Sequence, residues 1–233
     1  MAYGSGLFAQ DEMQVAEHPL LASIREALLA EALSARTSDE TGATPVLVRN
    51  VERRLDIATK PDAGAGRPAG LYGNRFARAP LEAIRRATRR VEPSPFSNII
   101  AMAAPSGGQG EYSEGEVEYI FAAAYTGFAA ARQETVGAAG DGAETVIHSG
   151  FWGCGAFGGN RKLMVALQAL AARATQTGRL ILHCGDAAGV EDARQGLDVA
   201  ESLARRCGPT CALDTLVGRA VLLGYRWGVS DGN

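Results

Sequence analysis

Apolar positions along this chain recur with two different periods. From Gln10 to Arg36 they return every three or four residues, which predicts helix, with Pro19 suited to the first turn of a second one. Leu20, Leu21, Ile24, Leu28 and Leu29 then share a face. Four short apolar runs predict strands instead: "TPVLVRNV" (Thr44–Val51), "SNIIAMAAP" (Ser97–Pro105), "ETVIHSG" (Glu144–Gly150) and "RLILHCGD" (Arg179–Asp186). Between them lie a Gly- and Pro-rich loop from Lys60 to Gly73 and an arginine-rich helix, "PLEAIRRATRR", at Pro80–Arg90, whose basic side reads as a solvated face. Ser113 and Glu116 have the spacing of a capping box, so a helix runs from there to about Arg132. Further helices are expected over Asn160–Thr177, Val190–Arg206 and Thr210–Leu223.

Strands separated by helices imply crossover connections and a largely parallel sheet covered on both faces. Nothing repeats internally, and 233 residues suit one domain of generous size. A formal net charge of −3 supplies no general attraction for nucleic acid or an anionic membrane, so the expected partner is small or protein-borne. No run is long and apolar enough for a membrane span and no signal-peptide order opens the chain, which reads as cytoplasmic. The four cysteines are too scattered for a disulfide framework, and Cys207 with Cys211 makes a poor metal site. His148 and His183 read as buried, hydrogen-bonded strand histidines.

Chemistry is expected where loops leave the carboxyl ends of strands and enter helices. "GFWGCGAFGGN", Gly150–Asn160, is such a loop. Its glycines let main-chain amides approach an anion, and the following helix adds partial positive charge, so a diphosphate could be held without lysine. Phe151, Trp152 and Phe157 are candidates to face a sugar or base, or else to fill the core. "HCGDAAG", His183–Gly189, is a shorter second loop, in which Asp186 either meets a ribose or caps the next helix. Near the start, Asp11 and Glu12 stand at a helix N-terminus, as dipole partners or as a catalytic pair.

"GFWGCGAFGGNRKLMVALQALAA" followed by "RLILHCGD" resembles the loop, helix and strand of the catalytic macrodomain of poly(ADP-ribose) glycohydrolases. "AAYTGFAAAR" (Ala123–Arg132) and "SNIIAMAAP" resemble the helix and strand upstream, and "QDEMQVAEHPLLASIREALL" resembles the family's Gln-Glu-Glu signature and following helix. The likeness spans about Gly4–Leu203, with a poorly matched segment at 51–91 and an extension at 207–233. It implies a three-layer α/β/α macrodomain-like fold with a mixed, largely parallel central sheet. It also implies hydrolysis of an ADP-ribosyl glycosidic bond by carboxylates, with neither metal nor cofactor, removing ADP-ribose from a modified protein or from poly(ADP-ribose), with ADP-ribose or an ADP-ribosylated protein as the partner bound. Carried over, Glu12 is the general acid/base, Asp11 holds ribose hydroxyls, and Gln10 lies in the same wall. Gly153, Cys154, Gly155 and Ala156 offer backbone N–H groups to the diphosphate, Phe157 presses on the distal ribose, and Gly158 belongs to the same substrate-binding loop.

Four departures qualify the transfer. The family's glycine triplet has no counterpart ahead of Gln10 except "YGSG" at Tyr3–Gly6, so either a relative with a shortened N-terminus or a trimmed piece of a longer chain is expected. Asp11 stands for a glutamate, and Phe151 for an asparagine. Only Tyr72 offers itself for the tyrosine that clasps adenine. These departures favour action on single ADP-ribose units or an unusual conjugate over degradation of chains. Two other readings stay open: an ADP-ribose-binding module without turnover, and a degenerate macrodomain that serves as a protein-interaction partner.

Overall fold

The computed structural model describes residues 10–105, 107–208 and 210–231, so "YGSG" at Tyr3–Gly6 lies outside the described residues. In chain order come helices α1 (Gln10–Glu17) and α2 (Pro19–Ala30), then strands β1 (Ser38–Asp39), β2 (Gly42–Ala43), β3 (Val46–Glu52) and β4 (Leu55–Ile57). Helices α3 (Asn74–Arg78) and α4 (Leu81–Ala87) lead to β5 (Thr88–Arg90) and β6 (Phe96–Ala101). The rest alternates: α5 (Glu114–Ala139), β7 (Val146–Gly150), α6 (Arg161–Ala174), β8 (Arg179–His183), α7 (Ala187–Cys207) and α8 (Leu213–Val221). The α/β class that the alternation implies is the observed one; the described strands pair two by two, β7 with β8 in parallel and β1 with β2 and β4 with β5 antiparallel. Two compact units result: residues 10–37 with 47–101, and residues 38–46 with 102–231.

The first unit gathers Met13, Ile57, Leu71, Phe76 and Ala87 into one apolar cluster, with Tyr72 and Ile84 packed against it. Strand β4 runs antiparallel to β5, placing Leu55 opposite Arg90 and Ile57 opposite Thr88, while β3 pairs with β6. Helix α1 is pinned to β4 by Glu17. Its carboxylate accepts from Arg53 Nε at 2.9 Å and from the Ile57 amide at 2.8 Å, and its carbonyl accepts from the Arg54 amide at 2.9 Å.

Two expected helices are shorter than their patterns. The first set stops at Ala30 rather than Arg36, because Ala32 takes a φ of 54° and the Leu33 amide reaches back to the Leu28 carbonyl at 2.8 Å. Of the predicted apolar face only Leu21 is buried; Leu20 and Leu29 are 40% and 53% exposed. In the arginine-rich segment the helix ends at Ala87, and Thr88–Arg90 become a strand. Thr88 Oγ1 donates to the Ile84 carbonyl at 2.8 Å, closing the helix where the backbone turns to pair with β4.

The second unit carries the larger core, built from Val117 and Ile120 of α5, Leu163, Met164, Leu167 and Leu170 of α6, Ala200 and Leu203 of α7, and Val217 and Ala220 of α8. Helix α6 buries most of its circumference, so it is a central element flanked by α5 and α7. The capping box of α5 forms as the sequence predicts: the Ser113 amide donates to Glu116 Oε2 at 2.8 Å, and the Glu116 amide to Ser113 Oγ at 3.3 Å. The helix continues past Arg132 to Ala139. Strands β7 and β8 run parallel from Val146 opposite Arg179 to Gly150 opposite His183. Among the described residues no helix is long and apolar enough to cross a membrane.

Candidate functional site

The glycine loop leaves β7 at Gly150 and enters α6 through Asn160, whose side chain accepts from the Leu163 amide at 3.3 Å and so caps the helix. Three internal hydrogen bonds fold it back on itself: Cys154 amide to Phe151 carbonyl at 3.0 Å, Gly158 amide to Gly155 carbonyl at 3.0 Å, and Gly159 amide to Gly153 carbonyl at 2.9 Å. Gly153 has a φ of 75°, and a Cβ there would lie 2.7 Å from that of Ala104, so both backbone sign and space exclude a side chain. Among the described residues, the amides of Gly153, Gly155, Ala156 and Phe157 donate to no acceptor. The Cys154 amide is spent on the loop's own turn. A loop with four such amides at the mouth of a 14-residue helix is equipped to receive an anion.

The three aromatic residues divide by use. Trp152 Nε1 donates to the Met102 carbonyl at 3.3 Å while its ring packs against the core, and Phe151 lies under the Arg161 guanidinium at 4.8 Å. Phe157, 43% exposed, is the one turned toward solvent. Burial pushes the Cys154 thiol from its ordinary 9.0 up to about 12, which makes it unfit as a nucleophile.

Two supports of this loop escape a sequence reading. Gln168, with no exposed surface, accepts from Ser149 Oγ and donates to the carbonyls of Gly150 at 3.1 Å and Met164 at 3.2 Å, fixing the end of β7 against α6. Tyr112 offers its phenol oxygen to the Asn160 amide at 2.8 Å; desolvation in the core pushes its pKa up to about 12. A lone glutamine inside an apolar helix, "MVALQALAA", was the available signal for the first.

The acidic residues stand on the first turn of α1, in the first unit, with Gln10 opening that helix. Glu12 is buried at 7% exposure and Asp11 is exposed. Next to them Met13 enters the apolar cluster against which Tyr72 packs. Asp186 does what a cap does, accepting from the Gly189 amide at 2.7 Å. His148 and His183 are exposed rather than buried, because they face outward from the β7–β8 pair, and they bond to each other, Nδ1 to Nε2, at 3.0 Å. Among the described residues no group of three or more His, Cys, Asp or Glu is arranged to hold a metal ion.

This loop and its flanking elements fall within a family match. Residues 72–189, just over half of the chain, fit the family described as poly(ADP-ribose) glycohydrolase, macro domain fold. The chain therefore belongs to the catalytic macrodomain family of poly(ADP-ribose) glycohydrolases, and its α/β fold is a macrodomain fold. The matched residues take in Tyr72, the glycine loop and the cap of α7, and leave Gln10, Asp11 and Glu12 outside. No curated protein matches the chain.

Proposed function

We propose that this protein hydrolyses an ADP-ribosyl glycosidic bond, releasing ADP-ribose from a modified protein or from another ADP-ribose. The observation that carries the reading is the glycine loop, whose amides at Gly153, Gly155, Ala156 and Phe157 donate to no acceptor among the described residues, ahead of α6 and inside the residues that match a glycohydrolase family. In this reading the loop amides hold the diphosphate and exposed Phe157 packs on the distal ribose. Glu12 acts as general acid and base: as the bond from the anomeric carbon to the leaving oxygen breaks, the electron pair goes to that oxygen and Glu12 supplies its proton. Water then adds to the anomeric carbon and returns a proton to Glu12. Asp11 binds ribose hydroxyls. Its shorter side chain, with the want of a family-like adenine clasp beyond Tyr72, supports a preference for single ADP-ribose units.

The experiment measures free ADP-ribose released from an ADP-ribosylated protein, alongside ADP-ribose affinity. Glu12→Gln should lower release by about 10²-fold or more while affinity stays within a few fold. Undiminished turnover in that variant would overturn the assignment. One observation favours a second reading, a binding module: the acidic pair lies outside the family match whereas the loop lies within it. In that case the native chain binds ADP-ribose and releases none.

A further inference from the structure

The segment from Gly224 to Asp231 lies outside the family match, yet it is built onto the glycine loop. Its Gly228 amide donates to the Gly158 carbonyl at 2.7 Å, and its Asp231 amide to the Gly155 carbonyl at 3.3 Å. The approach is tight. A Cβ on Gly158 would stand 2.9 Å from the Gly228 carbonyl oxygen, and one on Gly155 would stand 3.0 Å from an Asp231 carboxylate oxygen. The segment thus bonds to two carbonyls of the loop, and among the described residues the amides of Gly153, Gly155, Ala156 and Phe157 donate to no acceptor.

Trp227 anchors this segment. Its ring stacks on Tyr112 with centroids 4.4 Å apart and planes at 20°, its Nε1 donates to Glu116 Oε1 at 3.1 Å, and its amide donates to the Gly110 carbonyl at 2.9 Å. Tyr112 in turn accepts from the Asn160 amide, and the Asn160 side chain donates to the Arg226 carbonyl at 3.2 Å. The anchor and the loop's far end are therefore one hydrogen-bonded and stacked assembly.

We infer that Gly224–Asp231 is a clamp that sets the geometry of the glycine loop, with Trp227 as its positioning residue. The clamp acts through the loop and touches no reacting atom. A five-glycine loop has many conformations open to it, and two main-chain bonds on its carbonyl side select the one whose amides stay available. The consequence for ligand rests on the proposed ADP-ribose reading; the consequence for the loop does not.

Two readouts separate them. Cys154 lies within the loop with its thiol against the core, so its alkylation by N-ethylmaleimide, followed by mass spectrometry of its peptide, reports loop opening without any ligand. Affinity for ADP-ribose reports the ligand consequence. Trp227→Ala should speed Cys154 labelling at least tenfold and weaken ADP-ribose binding at least tenfold. Trp227→Phe, which keeps an aromatic ring to stack on Tyr112 but loses the bond to Glu116, should hold both to within threefold of the native protein. Gly228→Pro removes the amide that bonds Gly158 and should give the same acceleration; it carries the test if Trp227→Ala does not fold. Faster labelling with no ADP-ribose binding in any form of the protein supports the clamp and refutes the ligand reading. Labelling unchanged within twofold in folded Trp227→Ala or Gly228→Pro overturns the clamp.

Discussion

The phenol oxygen of Tyr112 accepts the Asn160 amide hydrogen at 2.8 Å, joining the start of α5 to the residue that caps α6. The bond is part-buried: Tyr112 is only 3% exposed, while Asn160 is half-buried. Tyr112→Phe keeps the ring and its stacking on Trp227 but leaves that amide without an acceptor. We expect a loss of about 1–3 kcal/mol in urea unfolding, the cost of an unsatisfied buried donor. A loss near zero would mean that water replaces the phenol.

Gln168 holds the loop from the other side. Replacing it by leucine preserves volume but strands the Gly150 carbonyl and the Ser149 hydroxyl, so unfolding free energy should fall by about 2–4 kcal/mol. Adding Ser149→Ala to Gln168→Leu removes one stranded group and should recover part of the loss. Strict additivity of the two changes in unfolding measurements would contradict the shared bond.

Alkaline pH should weaken the second unit through two groups. Burial pushes the Cys154 thiol from 9.0 up to about 12 and the Tyr112 phenol from 10.0 up to about 12. Below pH 9 both are protonated whether the chain is folded or not, and their contribution is fully present. Between pH 9 and 12 the unfolded chain sheds protons that the folded chain keeps. Stability therefore falls as pH rises, by up to about 1.4 kcal/mol per pH unit for each group. Urea unfolding at a series of pH values should show this slope, and Cys154→Ala or Tyr112→Phe should each flatten it.

Helices α6 and α7 meet closely at Gly196. A Cβ there would lie 2.7 Å from the Lys162 carbonyl oxygen and 2.8 Å from Val165 side-chain atoms. An exposed helical Gly→Ala change gains about 1 kcal/mol of helix propensity. Here overpacking, at about 1–3 kcal/mol, should win, so Gly196→Ala should lower the unfolding midpoint. A raised midpoint would show that the two helices separate at little cost.

Features set by local chemistry were legible from residues alone. The capping box at Ser113, the apolar run of α6 with Asn160 before it, and the strand–loop–helix order around the glycines all follow from neighbours in sequence. The stop after Ala30 was not, because Ala32 adopts a left-handed conformation without the glycine or asparagine that usually marks one. Thr88–Arg90 read as helix because "RRATRR" is a good helical sequence; pairing with β4 decides otherwise. The apolar run around His148 and His183 predicts burial, but strand alternation puts both on the open face. The contacts of Trp227 and Asp231 with the glycine loop join positions far apart in the chain and carry no period to betray them. The acidic pair stands out only through resemblance to a family signature, since a carboxylate at a helix start is by itself an ordinary partner of the dipole.

The unit that bears the glycine loop is drawn from two separated stretches, and its hairpin of β1 and β2 lies against α5. During synthesis the hairpin emerges early and must wait until residues 47–101 have passed before the helix it covers exists. A fragment begun at Met102 would lose that cover. Recombinant isolation of the loop-bearing half calls for a rewired gene in which a short spacer replaces the intervening stretch.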